Sequence, residues 1–102
     1  MEEVKILESG NGTLKIALCG DIDSGNADGF YRAVAEAYAQ NPADLEFDCT
    51  ALDFIDSTTL GTFVKILKKV KADGKKMSLK NLQSKIKKLF VICSLDTVME
   101  IA

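Results

Sequence analysis

Leu52-Asp53-Phe54-Ile55-Asp56-Ser57-Thr58-Thr59-Leu60-Gly61 sets an apolar run, then Asp-Ser-Thr-Thr, directly before a strongly amphipathic segment. A strand end, a tight turn and a helix N-terminus read this way in sequence. On spacing alone, Ser57 is the N-cap of that helix. The same place also suits a phosphate or a partner's acidic group, because unpaired amides and the positive end of a helix dipole meet there.

Downstream, Leu60, Phe63, Val64, Leu67 and Val70 follow helical spacing, with Lys65, Lys68, Lys69 and Lys71 largely on the other side. Gly74 ends that helix as its C′ residue. Met77-Ser78-Leu79-Lys80 reads as a short strand, and Ser84 as the cap of a third helix bearing Ile86, Leu89, Phe90 and Cys93. Val98 to Ile101 fits either a last strand or a short helix. Upstream, Leu45-Glu46-Phe47-Asp48-Cys49 alternates as a strand that leads through Ala51-Leu52 into the motif. Val4 to Leu7 and Leu14 to Gly20 alternate imperfectly around Gly10-Asn11-Gly12, which predicts a β-hairpin. Between them and Leu45, a polar loop from Asp21 to Asn26 opens a helix with apolar positions Ala27, Phe30, Tyr31, Val34 and Tyr38, stopped at Asn41-Pro42. Strands alternating with helices predict an α/β fold with right-handed crossovers. The expectation is one domain over residues 1–102, with a mixed, mostly parallel sheet, an N-terminal hairpin and three or four helices.

The 102 residues suffice for one core, and 47% apolar with 27% charged residues is ordinary for a globular chain. Met1-Glu2-Glu3-Val4-Lys5 lacks the order of a signal peptide, and no apolar run reaches the length of a membrane span. Cys19, Cys49 and Cys93 sit in apolar runs and read as small core residues of a reducing compartment rather than a disulfide framework, so a cytoplasmic protein is expected. The net charge of −2 divides unevenly: residues 1–56 hold twelve acids against three bases, and residues 57–102 three acids against ten lysines. Such polarity orients encounters with charged partners. Direct nucleic-acid binding is not expected, since the basic half lacks arginine and its two phenylalanines lie on apolar faces.

Several chemistries are excluded. With no histidine there is no Ser-His-Asp or Cys-His pair and no His-based acid–base catalysis. No C-x-x-C, P-loop or dinucleotide glycine motif occurs, so no metal, cofactor or nucleotide loop is expected. The stretch from Asp21 begins like a calcium loop but has Asn26 at the glycine position and Arg32 at the closing acid. Asp21 and Asp23 could still hold Mg²⁺ for phosphoryl transfer, with Lys80 as a nearby cation. Their plainer reading is loop solvation and capping of the first helix.

The order of hairpin, Gly20-Asp21-Ile22-Asp23 with Ala27 and Phe30, Leu52 to Ser57, Leu60-Gly61, Leu82 to Phe90 and Ser94-Leu95-Asp96 resembles a STAS domain over essentially the whole chain. Specifically, it is similar to the stand-alone bacterial anti-sigma-factor antagonists. That resemblance implies a regulator working by partner exchange, a substrate and binder rather than an enzyme. The partner would be an anti-sigma factor with serine kinase activity, and a serine phosphatase would reset the switch. Ser57 would be the phosphoacceptor, Thr58 a second candidate, and Asp21, Asp23, Ser24, Asp56, Ser57, Thr58 and Thr59 the partner-binding set. The chain departs from the family pattern at Thr58-Thr59, where Ser-Gly is usual, and at Ser94, where Gly is usual. A constitutive scaffold, or a subunit of a signalling or lipid-transport complex, is the alternative. Mg²⁺-dependent phosphoryl transfer is the third reading.

Overall fold

Leu14, Ile16 and Leu18 are buried while Thr13, Lys15 and Ala17 between them are only partly covered. This is the period-two signature of a sheet with one face in the core. The computed structural model describes the backbone of residues 1–102 and the surroundings of every residue but Gly10. Strand β1 (Val4–Gly10) pairs antiparallel with β2 (Thr13–Ile22). Asn11 and Gly12 join them with φ of +53° and +80°, as a type I′ turn requires. Strand β3 (Asp44–Ile55) runs parallel to β2, β4 (Met77–Lys80) parallel to β3, and β5 (Glu100–Ile101) parallel to β4. The order β1-β2-β3-β4-β5 never reverses, so right-handed crossovers stack every helix on the same face.

Those helices are α1 (Ala27–Gln40), α2 (Ser57–Ala72) and α3 (Ser84–Ile92). A 3-10 turn at Leu95–Thr97 precedes the two-residue β5, so the last segment is a strand. The expected mixed sheet, N-terminal hairpin and three helices are all present. Phe30 from α1, Phe47 from β3, Phe63 from α2 and Phe90 from α3 are fully buried. Their rings meet edge to face at centroid distances of 5.1 to 6.1 Å, which ties all three helices to the central strand.

Helix α2 ends where the sequence places it. Gly74 has φ +73°, its N–H donates to the Lys71 carbonyl, and the Lys75 N–H donates to Val70, the paired bonds of a Schellman motif. The Tyr38 hydroxyl donates to Asp73 at 2.7 Å and binds α1 to this end; burial and that bond push the phenol up to about 12. Three caps differ from expectation. Helix α1 starts from Asn26 with no side-chain cap bond, instead of the capping expected of Asp21 and Asp23. Helix α2 starts from Asp56 rather than Ser57, and α3 from Gln83 rather than Ser84, which makes both serines the first helical residues.

Candidate functional site

The C-terminal ends of parallel strands are where an open α/β sheet presents its loops. Here they bring the β2–α1 turn, the β3–α2 turn and the start of α3 to one edge. The β2–α1 turn is built around Asp23. Its Oδ1 accepts the Gly25 N–H at 2.9 Å, and its carbonyl accepts the N–H groups of Asn26 and Ala27. Asn26 closes the turn from both sides, accepting from the Asp23 N–H at 2.8 Å and donating to the Asp21 carbonyl at 2.9 Å. Gly20 makes this possible upstream. With φ +69° it sits at the register break of the β2–β3 ladder, which keeps Ile22 in the core while Asp21 stays exposed.

The β3–α2 turn is held by Asp56, whose extended backbone (φ −119°, ψ −174°) is that of an N-cap. One carboxylate oxygen accepts the Thr59 N–H at 3.0 Å, and the other accepts the Ser24 N–H at 2.9 Å. The Asp56 carboxyl is therefore held below its ordinary range, chiefly by the Thr59 amide, with the Ser24 amide and the Thr59 hydroxyl adding to it against some desolvation. Thr59 is the second clamp. It is fully buried, and its hydroxyl donates to the Ile22 carbonyl at the end of β2 while lying 3.0 Å from Asp56. The first turn of α2 is thus fastened to both β2 and the β2–α1 loop.

This arrangement sorts the expected site residues. Asp21, Ser24, Ser57 and Thr58 are exposed, Asp23 and Asp56 are partly buried, and all six share the edge. Thr59 does not belong with them as a contact residue: with no exposed surface, it positions the turn from beneath. Ser57 opens α2, with its side chain in no hydrogen bond among the described residues, so its hydroxyl is free to react or to contact a partner. No group of three His, Cys, Asp or Glu able to hold a metal occurs among the described residues, and Asp23 directs its carboxylate to a backbone amide. The magnesium reading gains no support from this geometry.

Two further features carry no clear sequence signal. Gln83, the cap of α3, donates to Asp53 at 3.2 Å, which moors that helix to the end of β3 three residues before Asp56. Phe54, within three residues of Ser57, is 47% exposed although its apolar neighbours Leu52 and Ile55 are buried. Position 94 did carry a signal. Ser94 has φ +58°, the left-handed conformation that suits glycine, which is the residue the family resemblance leads one to expect there.

Fold and edge together define the class, a small open-sheet domain that presents a serine at the start of a helix. The chain belongs to the STAS domain family, whose model matches residues 5–102. It is 32% identical to the anti-sigma-B factor antagonist of Bacillus subtilis over 89 residues, covering 87% of this chain and 81% of that one. Among solved structures it resembles an anti-sigma factor antagonist from Mycobacterium paratuberculosis, with a TM-score of 0.82 at 19% identity, covering 96% of this chain and 84% of that one. It also resembles the Bacillus cell fate determinant SpoIIAA in its phosphorylated form, with a TM-score of 0.75 at 20% identity, covering 97% and 90%.

Proposed function

We propose that this protein is an anti-sigma-factor antagonist. It binds an anti-sigma factor that is also a serine kinase, and phosphorylation of Ser57 ends the binding until a serine phosphatase restores it. One observation carries the reading: the free, exposed hydroxyl of Ser57 on a turn clamped to the neighbouring loop, in a chain similar to proteins of that name. The protein acts in the cytoplasm as substrate and binder, without catalysis of its own and without contacting nucleic acid.

The electrostatics of the edge favour such a switch. Phosphoserine brings about −1.5 to −2 charges and a hydration shell. The amides of Ser24 and Thr59, which could have received it, are already taken by Asp56. The phosphate adds its charge next to Asp56 on the exposed turn, where it alters the surface a partner meets without rearranging the fold. Ser24, Thr58 and the exposed Asp21 complete that surface.

The test uses wild-type and Ser57→Asp proteins as baits in extract of the native cell. A kinase-type anti-sigma factor retained by wild type and lost from Ser57→Asp is the expected result. Equal retention by both overturns the switch and leaves a constitutive scaffold. Ser57→Ala serves as a control: because Asp56 is the cap, its unfolding midpoint should stay close to wild type.

A further inference from the structure

Gly61 lies at the fifth position of the sixteen-residue helix α2, where glycine is a poor helix former compared with alanine. The fold gives no reason for it. Gly12, Gly20 and Gly74 have positive φ, and a Cβ on Gly25 or Gly29 would crowd Asp23 Oδ1 at 3.1 Å or Met1 Sδ at 3.3 Å. Gly61 is exposed and helical, and a Cβ added there meets nothing within 4 Å. Of the six glycines whose surroundings the structure describes, it alone is unexplained by backbone or space.

Its position suggests what it serves. Residue 61 is four beyond Ser57 and three beyond Thr58, on the same face of the helix. Helical side chains lean toward the N-terminus, so a side chain at 61 would lie over the preceding turn, the one that carries Ser57. We infer that Gly61 keeps the approach to the Ser57 hydroxyl clear, so that the kinase-type partner packs its backbone directly against the first turn of α2. This rests on the reading of Ser57 given above and names the residue that governs access to it. A side chain at 61 obstructs both the docked complex and the phosphoryl transfer, in proportion to its size.

The inference predicts opposite changes in two measurements. Gly61→Ala and Gly61→Gln should raise the urea midpoint, since both residues are better helix formers. The same variants should be retained more weakly by the partner that wild type captures, Gln about tenfold or more, the scale of one obstructed interface contact. Ser57 phosphorylation, followed by mass spectrometry with that partner and ATP, should slow in the same order. Wild-type retention and phosphorylation by Gly61→Gln overturn the role of Gly61 and leave the Ser57 switch standing. Should Ser57→Asp bind normally while Gly61→Gln does not, the switch fails and the close approach survives. If wild type retains no partner, both readings fall.

Discussion

A single carboxylate, that of Asp56, joins two elements by accepting the Ser24 and Thr59 amides at once. A hydrogen-bonded carboxylate prefers its charged form, which gives this clasp a pH dependence of known sign. The folded carboxyl titrates below its ordinary value, so the unfolded chain takes up the proton first as pH falls. The clasp's contribution is complete at neutral pH and is lost as pH drops through the ordinary carboxylate range toward the folded value. Asp48 acts in the same direction, held low by the Thr50 hydroxyl, the Thr50 amide and Asn81. Urea unfolding of wild type and Asp56→Asn from pH 7 to about pH 3 checks this. The variant should start with a lower midpoint and lose less of it in acid, with the Asp48 share remaining. Parallel acid limbs would show that Asp56 is not the titrating clasp. The Thr59 hydroxyl also donates to the Ile22 carbonyl, so the turn beneath Ser57 is fastened by a second side chain as well as by the cap.

Among whole elements, α3 and its exit carry a strain that the sequence itself points to. Ser94 follows the end of the helix in the left-handed region, its N–H donating to the Val91 carbonyl. An L-residue with a Cβ is disfavoured there by about 1–2 kcal/mol. Ser94→Gly should relieve most of this, so thermal or urea unfolding should show a gain of about 1 kcal/mol after the greater chain entropy of glycine is offset. An unchanged or lower midpoint would place the strain elsewhere. Apolar periodicity locates all three helices and the hairpin, because buried positions recur from Ala27 to Tyr38, from Phe63 to Val70 and at Ile86 and Phe90. Yet on α2 it is Ile66 rather than the expected Val64 that is buried, and Cys93 beyond α3 is exposed rather than in the core. Periodicity follows β3 less well beyond Cys49, because the ladder to β2 shifts register twice and breaks the alternation with unpaired residues. Buried positions there fall at Leu52 and Ile55, three apart, and leave Phe54 exposed. The cap was illegible for another reason. Asp, Ser, Thr and Thr are all side chains that can accept an amide, and only the three-dimensional reach of Asp56 to Thr59 decides among them. Nothing in the sequence says that Thr59 points inward.

The molecule as a whole depends on its aromatic cluster to hold the edge that carries Ser57 in shape. Phe63 is the hub: its ring meets Phe30, Phe47 and Phe90 at 5.1, 5.6 and 5.4 Å, so one side chain on α2 reaches both other helices and the central strand. Truncating such a residue leaves a cavity and costs about 3–5 kcal/mol. A domain of this size has only about 5–15 kcal/mol in total. Phe63→Ala should therefore lower the urea midpoint severely, and it would also weaken partner retention, but through the unfolded fraction. That loss should recede on cooling from 37 °C to about 15 °C, nearer the temperature of maximum stability, while the loss caused by Ser57→Asp should not. Comparing the two variants at both temperatures separates a surface that no longer matches its partner from a surface that is no longer folded. A Phe63→Ala protein with wild-type stability would mean that the four rings are not the keystone their contacts indicate. Temperature-dependent recovery of Ser57→Asp would move its effect from the interface to the fold.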